Sequence, residues 1–86
     1  MSNDNPTAAQ INAHFSAMDD SVNLINATVA DDSDALATQT AAEVKRMVTR
    51  NTDHLEWQLG RDWAIADGRS KTYYTDAITA GKAYVG

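Results

Sequence analysis

The chain has 86 residues, a formal net charge of −5 and no cysteine. That length allows one small domain, residues 1–86, and the missing cysteines exclude disulfides and thiolate metal sites. The acidic balance argues against nonspecific nucleic-acid binding and against docking on an anionic membrane, both of which need clustered Lys and Arg. Leu, Ile, Val and Phe supply only 14 of the 86 residues. A core this lean, in a chain this short, leads us to expect that it is completed against copies of the chain or a larger neighbour. No apolar run approaches the roughly 20 residues of a membrane span. The polar start MSNDNPTAAQ carries no signal-type apolar stretch, so the expected starting compartment is the cytoplasm.

In chain order, Asn5-Pro6-Thr7 reads as a helix start, with Asn5 or Thr7 as the cap and Pro6 in the first turn. From there Ile11, Phe15, Met18, Val22, Ile25 and Val29 recur with gaps of four and three. That spacing predicts a helix over 7–29 lying along another helix. One side of an intramolecular hairpin and an intermolecular coiled coil give the same spacing. Leu24 falls off the stripe, beside Ala13, Ala17 and Ala27, where a second and shallower contact face is available. The run Asp31-Asp32-Ser33-Asp34 lacks the glycine and glutamate of a calcium loop. It reads instead as a break whose acidic side chains favour the next helix start.

A second helix is expected over 34–59. Its apolar face runs through Leu36, Thr40, Val44, Met47, Val48, Asn51, Leu55 and Leu59, with Thr40 and Asn51 as polar members. Pairs such as Glu43 with Arg46 and Arg50 with Asp53 have the spacing that supports a helix surface. Trp57 points almost opposite Leu55, toward Arg46, Arg50 and Asp53. It should be covered by the C-terminal segment or by another chain, and Arg50 and Arg61 are placed to stack on it. Gly60 can end this helix in a left-handed cap, or the pattern can run on toward Asp67-Gly68. In the connector, 60–70, Trp63 and Ile65 should tuck inward. Ser70 or Thr72 then caps a shorter helix over 72–85, with Tyr73, Tyr74, Ala77, Ile78, Gly81, Tyr84 and Val85 on one broad side. Gly81 in mid-helix costs about 1 kcal/mol relative to alanine, which a close helix-to-helix approach would offset. The expected fold is all-α: an antiparallel hairpin of two long helices plus a short C-terminal helix.

Little in the chain suggests catalysis. There is no nucleophile elbow, phosphate loop or dinucleotide fingerprint, and a hairpin of this size offers little concavity. His14 and His54 lie at facing edges of the two long helices and can be neighbours. No HExxH or Glu-x-x-His pairing accompanies them. We expect a non-enzyme with no metal, no cofactor and no small-molecule substrate.

From Arg50 onward the segments RNTDHLEWQL, a turn containing DGRS, and YYTDAITAGKAYV stand in order. Through Arg50, Asn51, His54, Leu55, Glu56, Leu59, Asp67, Gly68, Ala77, Ile78, Gly81, Lys82, Ala83 and Tyr84, this part resembles short uncharacterised proteins encoded beside the structural genes of tailed bacteriophages. The likeness covers roughly the C-terminal two-fifths of the chain and brings no catalytic residue with it. It implies a small structural protein of a virion, a capsid, neck or tail accessory subunit that binds itself or a larger virion protein. The contacts expected to carry this are Ile11, Phe15, Met18, Val22, Ile25, Leu55, Trp57, Leu59, Trp63, Tyr73, Tyr74 and Tyr84. The alternative is a small acidic regulatory or inhibitor module that sits on a basic protein through Asp19, Asp20, Asp31, Asp32 and Asp34.

Overall fold

A computed structural model describes residues 6–61, 63 and 69–86, and among them the chain is all-α with no strand. The four helices are α1 (Ala8–Ala30), α2 (Ser33–Thr38), α3 (Ala41–Leu59) and α4 (Lys71–Val85). α1, α3 and α4 each pack against the other two, and α2 touches α3. The molecule is elongated, 44 × 27 × 20 Å.

α1 starts at a capping box. Thr7 accepts from the Gln10 backbone N–H, and the Gln10 side chain accepts from Thr7 N in return. Two orphan donors of the first turn are thereby satisfied. Pro6 precedes the cap rather than occupying the first turn, and Asn5, the other expected cap, lies outside the described residues. Phe15, Met18, Val22 and Ile25 of the apolar stripe are fully buried, and Ile11 packs on them. Val29 is exposed. The partners of this stripe are Leu55, Tyr74 and Ala77 of the same chain. Apart from Val29, the stripe is thus consumed inside the molecule.

The helix expected over 34–59 is two helices. α2 ends at Thr38, with Gln39 as its C-cap, and α3 restarts with a second capping box. Thr40 accepts from Glu43 N, and the Glu43 carboxylate accepts from Thr40 N at 2.8 Å. Thr40 is therefore an exposed cap and not a member of a buried face. Glu43 is engaged in this cap and forms no ion pair with Arg46. The ion pairs among the described residues are Arg69–Asp19 and Lys82–Glu56, not the expected Glu43–Arg46 and Arg50–Asp53. Leu36, on the short α2, is exposed.

The buried line of α3 is Val44, Val48, Thr52 and Leu55, with Met47, Asn51 and Leu59 half-buried at its edges. Asn51 is satisfied within its own helix, donating to Met47 O at 2.8 Å. Thr52 is a polar member that the apolar pattern does not reveal. Its hydroxyl donates back to Thr49 O, and its methyl faces Gly81 of α4. α3 ends at Leu59 with Gly60 in a right-handed conformation (φ −65°, ψ −17°), so the expected left-handed cap is not formed. The last turn closes instead through the Arg61 N–H donating to Gln58 O at 3.2 Å. Ile65, Asp67 and Gly68 lie outside the described residues.

Ser70 caps α4, accepting from Thr72 N. Tyr74, Ala77 and Gly81 form its buried line, and Tyr73 is largely exposed. At its far end Tyr84 donates to Asp32 at 2.8 Å, tying α4 to the loop between α1 and α2.

Candidate functional site

Three side-chain groupings stand out: two polar seams between helices and one exposed face of α3. The first seam joins α1 to α4 through the connector. Asp19 accepts from the Tyr74 hydroxyl at 2.7 Å and pairs with Arg69, and Arg69 also donates to the Tyr74 oxygen at 2.9 Å. The Arg69 guanidinium lies 5.6 Å from the Phe15 ring centre. Hydrogen bonding to Asp19 holds Arg69 firmly in its cationic form, and burial pushes the Tyr74 phenol up. Both Asp19 oxygens are engaged within the fold.

The second seam joins α1 to α3. Gln58 Nε2 lies 3.1 Å from His54 Nε2, and His54 Nδ1 lies 2.9 Å from Ser21 Oγ. An amide nitrogen only donates, so His54 Nε2 accepts, and Nδ1 carries the proton that it donates to Ser21. The other Gln58 amide atom, Oε1, is buried without a hydrogen bond of good geometry. Gln58 favours the charged form of His14. His14 is buried, with the Trp63 ring 4.6 Å away and Phe15 edge-on at 4.7 Å. The two histidines are thus brought to one seam, through Gln58 one turn beyond His54. Ser21 and His54 have the spacing of a nucleophile and its base. The Ser21 residue is only 5% exposed, however, and the pair serves to satisfy two polar groups inside the helix contact. Among the described residues no three His, Asp or Glu side chains converge as a metal would require.

Burial lowers the His14 pKa, and the Arg61 charge lowers it further. Because the folded value is depressed, the unfolded chain takes up the proton first. Stability is therefore full above about 6.5, the ordinary histidine value, and falls as pH drops through the folded value. We expect the urea midpoint to decline in this window, before the carboxylates titrate. His14→Leu should remove that decline; an unchanged profile would mean that His14 is not its source.

The third grouping is exposed. Trp57 is 62% exposed, and α4 does not cover it. The reason is angular: α4 sits on Val48 and Thr52, and Thr52 is about 140° around α3 from Trp57. Within the chain Trp57 is met by Arg61, whose guanidinium lies 4.4 Å from its ring centre and 5.3 Å from that of Trp63. Of the two arginines expected to stack, Arg61 does so. Arg46 and Arg50 fall within about 20° of Trp57 on the same helix face. Both are exposed and have no ion-pair partner among the described residues.

Of the twelve residues expected to make contacts, Phe15, Met18, Val22, Ile25, Leu55 and Tyr74 are fully buried in the chain's own core, so they are not available to another molecule as it stands. Ile11, Leu59, Trp63 and Tyr84 are half-buried, and Tyr73 and Trp57 are exposed. Ser21, Gln58, Asp19 and Arg69 were not legible as a set. The only local signal was the i,i+4 spacing of His54 and Gln58. No protein-family model, curated protein or solved structure matches the chain.

Proposed function

We propose that this chain is a non-enzymatic accessory subunit of a bacteriophage virion that acts through its helix surfaces. Its scaffold we read as α1 and α3 running antiparallel, with α4 laid along both. The observation that carries the reading is Trp57. A tryptophan exposed on a helix face, stacked by one arginine and aligned with two more, has the composition of an interface anchor. A lone exposed leucine needs no such explanation. The virion setting rests on the resemblance of the C-terminal segments. No described helix is long and apolar enough to cross a membrane. The acidic-inhibitor alternative is weakened by the use of Asp19 and Asp32 inside the fold, bonded to Tyr74 and Tyr84.

Mass spectrometry of purified particles from the phage that encodes the chain tests the setting. We expect the protein at a fixed copy number, and its absence from particles would overturn the proposal. Trp57→Ala tests the surface. It should change stability by no more than about 0.5 kcal/mol, as surface substitutions do, leave helix content intact, and deplete the protein from particles. Equal loss of helix content and incorporation would place Trp57 in the fold rather than in the interface.

A further inference from the structure

The cation-lined Trp57 face has a counterpart elsewhere on the same molecule. Where α1, α2 and α3 meet, a groove of about 480 Å³ opens to solvent. Leu24, Ala27, Ala35 and Met47 supply its apolar lining, and Asp31 and Asp34 stand on it. Leu24 is 37% exposed, so this floor is not sealed by the chain itself. The groove has the size of a side-chain or small-ligand site. Its lining suits an aromatic ring, and its carboxylates suit cations flanking that ring. Trp57 with Arg61 on its face and Arg50 two turns away is such a group.

We propose that the groove receives Trp57 of a second copy of this chain. The proposal rests on the surface-binding reading above and names the partner. Three features select a second copy over an unrelated protein. The knob and the groove are both present on one chain, their net charges are opposite because Arg46, Arg50 and Arg61 outnumber Asp53 on the knob, and they do not overlap. Met47 and Trp57 are ten residues apart on α3, about 15 Å along the axis and 80° around it. One molecule can therefore give its tryptophan and receive another at the same time. Such a contact closes as a two-fold dimer if two copies exchange tryptophans, and otherwise continues as a larger ring or a filament. Each copy carries a net charge of −5 and repels the next overall. Association therefore depends on the local pairing of Arg50 and Arg61 with Asp31 and Asp34.

Sedimentation velocity of the purified full chain tests this. The wild type should associate, as a dimer or a larger species, as concentration rises. Trp57→Ala keeps the groove and loses the knob, and Asp31→Lys with Asp34→Lys keeps the knob and blocks the groove. Each should weaken association by roughly thirtyfold or more, the loss expected of a hot-spot anchor, with helix content unchanged. Mixed together, the two variants should form a one-to-one heterodimer and nothing larger, because only one productive contact remains. Leu24→Arg blocks the groove from its floor and substitutes for the double variant if that one does not fold. A monomeric wild type, a mixture that stays monomeric, or an assembly that survives both changes would overturn the proposal. Each of these leaves the virion reading standing on particle composition, so the two fail separately.

Discussion

Tyr74→Ala should be the most damaging single substitution, at about 3–5 kcal/mol, the range for removing a large buried aromatic ring. Tyr74 is fully buried, with the Phe15 ring centre 5.7 Å away, and it belongs to the one core cluster that draws on α1, α3 and α4 together. Its hydroxyl also closes the Asp19–Arg69 seam, 2.7 Å from Asp19 and 2.9 Å from Arg69. Against a total stability of roughly 5–15 kcal/mol for a natural domain, such a loss leaves little margin. Tyr74→Phe separates the two contributions. It keeps the ring and leaves Asp19 paired with Arg69, so it should cost only about 1.5–3 kcal/mol, a hydrogen bond to a charged group. Urea unfolding of the two variants gives the comparison. If they cost the same, the ring contributes no packing and the core does not close on Tyr74.

Gly81→Ala should also destabilise, although alanine is the better helix former. A Cβ at position 81 would overlap Thr52 Cγ2 and stand 3.3 Å from both Ile25 Cγ2 and Val48 Cγ1. Thr52 cannot readily yield. Its side chain is β-branched and stiff at χ1, and its hydroxyl is committed to Thr49 O at 2.8 Å. Overpacking of this kind costs roughly 1–3 kcal/mol, while the gain in helix propensity recovers at most about 1 kcal/mol. A net loss of 1 kcal/mol lowers the midpoint of a domain this size by roughly 4–8 °C. Thr52→Ser removes the clashing methyl, so adding it to Gly81→Ala should restore most of the loss. A Gly81→Ala variant more stable than the wild type would mean that α4 does not approach α3 this closely.

Gly81 shows how a sequence feature and a packing fact divide. A glycine in a helix interior has a local cost, so a close approach was the expected compensation, and α4 does come close to α3 there. Which residues it meets was not legible, because Thr52 is polar and apolar periodicity passes over it. Trp57 shows the same division with a different outcome. Its direction, opposite Leu55 and toward the arginines, follows from 100° per residue. The expected cover by the C-terminal helix does not form, because α4 lies on Val48 and Thr52. The break in the second helix is the reverse case. The Thr40-x-x-Glu43 box is a local signal for a helix start. The apolar line through Leu36, Val44 and Val48 hides it, because apolar residues recur at helix-like spacing on both sides of a short interruption.

The helical class, the burial of Phe15, Met18, Val22 and Ile25 as one stripe, a helix start at Ser70 or Thr72 and the absence of thiol chemistry all follow from the sequence by itself, since each depends on residues within a few positions of one another. The Asp19–Arg69–Tyr74 seam, the Ser21–His54–Gln58 chain, the Tyr84–Asp32 tie and the groove beside Leu24 belong to the tertiary structure alone. Their members are brought together across helices, up to 55 residues apart. A helix pattern specifies which face is apolar, but not which face of another helix it meets or at what height. That choice is made by packing, and it is packing that left Trp57 outside.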